Sequence, residues 1–270
     1  MSRAAATAKI NLALVVGPAR SDGMHEVATV MQRIDLADRI EIEEADDLRV
    51  VGFDDDSLVR EALTRLAAAA GVLPRWHAEI EKRIPVAAGL GGGSSDAATA
   101  LRLANDLLRP PVADLHEIAA SLGADVPFFF RSGPQLATGT GADLQTLELP
   151  QDYWVVLALP HGAAKASTRA VYASFDDRNG AAGFEERRSD LLHALDTVRH
   201  RRDLVALPPN DLASSPLAER LRVHGAFRAD VSGAGPIVYG LFPREADANA
   251  AAAAVERDAR VWITVPAWYG

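Results

Sequence analysis

The 270-residue chain has no cysteine. That excludes disulfides, thiolate metal sites and a cysteine nucleophile. No apolar stretch reaches the roughly 20 residues that span a bilayer, and Met1 to Ala8 lacks the apolar core of a signal peptide. Positive charge is also in short supply: 28 Lys and Arg stand against 37 Asp and Glu, for a net charge of −9. A broad electrostatic grip on nucleic acid is therefore not expected, and any anionic ligand must be held by local amides or a few cations. There is no internal repeat, and the only biased tract is the alanine run before Val255. These absences leave a cytoplasmic protein acting on a small molecule, with no nucleic-acid or membrane partner, as a monomer or homodimer.

With 49% hydrophobic residues the chain can bury a sizeable core, as one large or two modest domains. The rest is organised around residues 84 to 108, IPVAAGLGGGSSDAATALRLANDLL. Four of the five residues from Gly89 to Gly93 are glycine. Ser94 and Ser95 can cap a helix, with Asp96 in its first turn, and Ala97, Leu101, Ala104 and Leu108 recur on one helical face. Glycines let backbone N–H groups approach a ligand, and a helix N-terminus leaves its own N–H groups unpaired, so both favour a phosphate. A Walker A loop needs Gly-Lys-Ser/Thr, absent here. A dinucleotide fingerprint needs a strand directly before the glycines and an acid about twenty residues on, and it fits no better.

The remaining chain mixes strands and helices. Residues 8–16, 27–36, 38–44 and 76–84 read as strands, and Asp55-Asp56-Ser57 can cap a helix through Val59, Leu63, Leu66 and Ala70. Pro110-Pro111 breaks the chain before a short helix at 115–122, and 133–149 reads as paired strands about Gly139-Thr140-Gly141. Beyond a crossing at 150–153 come strand 154–160, a helix capped by Ser167-Thr168, helices 185–205 and 215–224, strand 237–242, helix 244–258 and strand 261–265.

Pro-x-x-x-Gly-Leu-Gly-Gly-Gly-Ser-Ser-Asp from Pro85 to Asp96 resembles the nucleotide loop of the GHMP kinases, named for galactose, homoserine, mevalonate and phosphomevalonate kinases. Other stretches follow in the order of one branch of that family: Lys9-Ile-Asn-Leu, Arg20-x-Asp-Gly-x-His25, Gly123-Ala-Asp-Val-Pro-Phe-Phe129, and Val231-Ser-Gly-Ala-Gly-Pro236. The chain departs from the branch at Met24, where a tyrosine is usual, and at Ala142 and Ala213, where glutamate is usual.

The resemblance implies an α+β, two-domain GHMP kinase fold, with a ribosomal protein S5 domain 2-like N-terminal domain (1–150) and a ferredoxin-like C-terminal domain (154–270). It implies ATP and Mg²⁺ as cofactors, with Pro85, Ala88, Gly89, Leu90, Gly91, Gly92, Gly93, Ser94 and Ser95 binding the nucleotide. It implies Lys9 and Asp125 as catalytic neighbours, and Asn11, Met24, His25, Asp125 and Tyr172 against the substrate. That substrate is cytidine diphosphate methylerythritol, phosphorylated on its 2-hydroxyl in isoprenoid precursor synthesis. The alternatives are a GHMP kinase acting on another small alcohol and a nucleotide-binding module that transfers nothing. The metal ligands are not assigned.

Overall fold

The computed structural model describes residues 1–53, 57–163 and 167–267. Strand β1 (Ser2–Ala19) runs antiparallel to β2 (His25–Glu44), with Lys9 opposite Arg33 and Asn11 opposite Met31. The sequence predicts two strands where β2 is continuous. The polar interruption around Asp35 is a bulge: the register steps from Ala8↔Ile34 to Thr7↔Ala37, so β2 carries two extra residues there, and Asp35 N donates instead to Val265 O at 2.8 Å while the ladder resumes.

Short β3 (Arg49–Val51) leads to α1 (Ser57–Ala70), which buries Val59, Ala62, Leu63, Leu66 and Ala67 on one face. The proposed caps Asp55 and Asp56 lie outside the described residues. Strand β4 (Trp76–Glu81) pairs with the far half of β2 and, in parallel, with β3. Helix α2 (Gly92–Leu107) packs between α1 and the sheet, and α3 (His116–Leu122) precedes a 3₁₀ turn at Pro127–Phe130. A hairpin of β5 (Gln135–Gly139) and β6 (Asp143–Thr146) joins the near half of β2, completing a six-stranded sheet.

The second half contains β7 (Trp154–Pro160), α4 (Thr168–Asp177), α5 (Phe184–Thr197), α6 (Pro216–Val223), β8 (Arg228–Val231), β9 (Val238–Phe242), α7 (Glu245–Val255) and β10 (Ala259–Thr264). Its four strands form an antiparallel sheet in the order β10-β7-β9-β8. The single helix expected over 185–205 is divided, because Val198 is extended and Asp203 Oδ2 accepts from the amides of Arg199 and His200 at 2.8 and 2.7 Å, starting a separate 3₁₀ turn at Arg201–Ala206.

The two halves share a core. Ile10, Leu12 and Val15 of β1 pack with Val155, Leu157, Tyr239 and Leu241 of the second sheet, and the Tyr239 hydroxyl donates to Leu12 O at 3.1 Å. The outer half of β2 instead packs Ile40 and Ile42 against α1 and α2. The glycine loop, the middle of β1 and the segment after β8 therefore meet along one seam.

Candidate active site

The entry to the glycine loop is tied down by a buried acid. Asp38 follows the bulge of β2, and its Oδ1 accepts from the amides of Arg83 and Ile84 at 2.5 and 2.8 Å. Lys82 bridges its other oxygen to Asp96 Oδ2 at 2.6 Å, and both carboxylates are fully buried. Burial alone would lower the Lys82 pKa, but the two carboxylates outweigh it and the net shift is upward. Lys82 carries no motif in the sequence, yet it lines the cavity beside Phe53.

The helix begins earlier than the serines suggest. Gly91 (φ +69°) is the N-cap and α2 starts at Gly92, so Ser94 and Ser95 lie in its first turn and supply no side-chain cap. Ser94 lines the cavity, whereas Ser95 is buried within the helix and does not. Gly89 has φ +89°, and a Cβ there would sit 2.3 Å from Ser232 O. Only glycine accommodates both that conformation and that approach.

The third glycine motif closes over the loop. Ser232 Oγ donates to Gly89 O at 3.0 Å and accepts from Asn11 N at 3.2 Å, while Ile237 N donates to Ala88 O at 3.2 Å. On the other side Lys9 N donates to Leu90 O at 2.9 Å. The loop is thus stitched to β1 and to the second sheet at once.

Lys9 and Asn11 point from the same side of β1. Lys9 Nζ donates to Asn11 Oδ1 at 2.6 Å and stands 3.4 Å from Asp125 Oδ2. Asn11 Nδ2 donates to Thr29 Oγ1 at 2.7 Å, and Thr29 in turn to Ala13 O at 2.7 Å, so the amide is oriented by its surroundings. Lys9 is buried, whereas the Asp125 side chain is 39% exposed. A carboxylate open to the cavity, with an ammonium 3.4 Å away, is placed to accept a proton from a bound hydroxyl. Arg33, buried beneath Phe128 and Phe129, donates to Phe129 O and so steadies the turn that follows Asp125.

A third group faces these from α4. His25 Nε2 and Asp176 Oδ1 are 2.8 Å apart, and the His25 and Tyr172 rings lie 4.7 Å apart at 39°. Burial, with a lesser contribution from Asp125, pushes the Tyr172 phenol up to about 12. Met24 is 47% exposed beside His25. All of the residues expected at the site line one cavity of about 960 Å³ except Ser95. That volume is at the upper end of the ~300–1,000 Å³ common for small-molecule sites. Asp176 and Arg169 also line it, and no motif flagged them.

Among the described residues no group of three or more His, Asp or Glu could cage a metal. Magnesium, which keeps much of its water and binds nucleotide phosphates, needs no such cage; the side-chain oxygens that line the cavity include those of Asp125, Asp176, Ser57, Ser94 and Thr140.

The class follows from the comparisons. The family described as GHMP kinases N terminal domain matches residues 57–133, and GHMP kinases C terminal matches 181–260. A 4-diphosphocytidyl-2-C-methyl-D-erythritol kinase from Chlorobium phaeobacteroides (strain BS1) is 37% identical, covering 97% of this chain and 96% of the relative. One from Bacillus pumilus (strain SAFR-032) is 38% identical over 89% of this chain and 88% of its own. A crystal structure of 4-(cytidine 5'-diphospho)-2C-methyl-D-erythritol kinase superposes with a TM-score of 0.79 at 32% identity, covering 98% of this chain and 100% of that one. A mevalonate kinase structure shares the fold, at a TM-score of 0.75 and 14% identity. The chain belongs to the GHMP kinases and, within them, to the 4-diphosphocytidyl-2-C-methyl-D-erythritol kinase family.

Proposed function

We propose that the protein transfers the γ-phosphoryl group of ATP to the 2-hydroxyl of 4-diphosphocytidyl-2-C-methyl-D-erythritol, a step of the non-mevalonate route to isoprenoid precursors. The observation that carries this reading is that the Lys9–Asp125 pair opens into the same cavity as the glycine loop and the His25–Tyr172–Asp176 group. Donor, acceptor and base thereby share one space.

In this reading the amides from Gly89 to Ser94 and the N-terminus of α2 receive the triphosphate of the substrate ATP. Phe53, which lines the cavity with Lys82 Nζ 5.6 Å from its ring centre, offers the stacking surface for the purine. Asp125 and the Ser94 hydroxyl would face a nucleotide-borne Mg²⁺, which when bound would neutralise phosphate charge. His25, Met24 and Tyr172 hold the cytosine, placing the 2-hydroxyl toward Asp125. Asp125 takes its proton, Lys9 beside it offsets charge on the transferred group, and Asn11 fixes the Lys9 ammonium. The domains run over 1–150 and 154–270, with the cleft between them.

The test is ADP release from ATP and Mg²⁺ with the cytidine compound, beside homoserine and mevalonate. Turnover confined to the cytidine compound supports the assignment; turnover confined to another alcohol overturns it.

A further inference from the structure

Three lysine or arginine side chains wall the cavity: Lys9, Lys82 and Arg169. Lys9 is engaged by Asn11 and Asp125, and Lys82 by Asp38 and Asp96. The cavity's own carboxylates, Asp125 and Asp176, are beside Lys9 and His25. Arg169 is different. Among the described residues it forms no hydrogen bond and no ion pair. Arg169 is solvent-exposed as well as facing the cavity, so its guanidinium is hydrated and free to turn its fork to an anionic ligand bound there.

Its placement is defined by α4. Ser167 caps that helix by accepting from Ala170 N at 3.1 Å, fixing the turn that bears Arg169. Arg169, Tyr172 and Asp176 follow at spacings of three and four and share one helical face, and all three line the cavity. The C-terminal end of that face is anchored on His25, through the Asp176 hydrogen bond and the Tyr172 ring. Arg169 lies about 10 Å along the helix axis from Asp176, at 1.5 Å per residue. In a nucleotide the phosphates lie one ribose away from the base. The face that holds a base at one end therefore presents a free cation toward its phosphates.

We propose that Arg169 binds the diphosphate of the acceptor substrate, leaving the glycine loop to the phosphates of ATP. This rests on the reading of the acceptor as a cytidine diphosphate alcohol. A guanidinium matches phosphate oxygens in a fork that an ammonium lacks.

Steady-state kinetics on Arg169→Met and Arg169→Lys test it, with cytidine and cytidine 5'-diphosphate as competing probes. For a partly exposed charge contact, Arg169→Met should raise KM for the cytidine compound about five- to tenfold, with kcat and KM for ATP within about twofold. Inhibition by cytidine 5'-diphosphate should weaken while inhibition by cytidine persists, and Arg169→Lys should recover part of the loss. An unchanged KM for the cytidine compound, a rise in KM for ATP instead, or equal weakening of both probes overturns the role of Arg169 while leaving the substrate assignment standing. Absence of wild-type turnover with the cytidine compound overturns the assignment and this role together.

Discussion

Lys9 Nζ stands 3.4 Å from Asp125 Oδ2 while donating to Asn11 Oδ1 at 2.6 Å. The tighter bond is to the neutral amide, so the ammonium is positioned by β1 and Asp125 remains accessible to a hydroxyl. Lys9→Met should remove charge stabilisation from the transfer step and lower kcat roughly 10²- to 10³-fold. ATP affinity, measured by calorimetry on the same variant, should change little, because the loop amides persist. A Lys9→Met enzyme with near-normal kcat would exclude a chemical role for this pair.

Gly89 tests how the loop is held. With φ +89° and Ser232 O in the path of a Cβ, Gly89→Ala must displace the loop from the third glycine motif. The expected outcome is a rise in KM for ATP of at least roughly tenfold, in keeping with strain of about 1–3 kcal/mol at a left-handed non-glycine position. Nucleotide titration would show it; a wild-type affinity would mean that the loop is not gripped as described.

The Lys82 cluster gives a stability prediction with a defined pH sense. Lys82→Met leaves Asp38 and Asp96 buried without their shared cation and should cost about 3–5 kcal/mol in denaturant unfolding at neutral pH. Burial lowers the Lys82 pKa and the carboxylates, led by Asp96, more than restore it, so the folded value lies above the ordinary 10.5. A raised pKa means stability that is fully present below 10.5 and lost as pH climbs through the folded value. Wild-type stability should fall on that alkaline limb, and the limb should be shallower in Lys82→Met. Equal limbs would assign the alkaline loss to other groups.

Met24 stands exposed in the cavity beside His25. A thioether contacts a base face more weakly than an aromatic ring, and base–aromatic stacking is worth about 1–3 kcal/mol. Met24→Tyr should therefore lower KM for the cytidine compound roughly three- to tenfold. An unchanged or higher KM would argue against stacking at this position.

The nucleotide loop, the Lys9–Asn11 strand and the order of helices and strands were legible because each is local: glycine spacing, alternation and helical period act within a few residues. The bulge that makes β2 continuous was not, since it depends on the register with β1. The helix start was misplaced by three to four residues because the N-cap is Gly91 rather than a serine, and Ser94 and Ser95 are thereby drawn into the first turn. Lys82 and Asp176 carry no local signature. Their significance comes from partners far along the chain, Asp38 and Asp96 for one and His25 for the other, which only the folded chain brings within reach.

The most direct test of the account is transfer of labelled γ-phosphate from ATP to the cytidine compound by the wild type and by Asp125→Asn, with ATP binding measured on both. Labelled product is expected from the wild type, with a loss of about 10²- to 10⁴-fold in Asp125→Asn and equal ATP affinity. Undiminished transfer by Asp125→Asn would contradict it, and so would a wild type that binds ATP and phosphorylates no cytidine substrate.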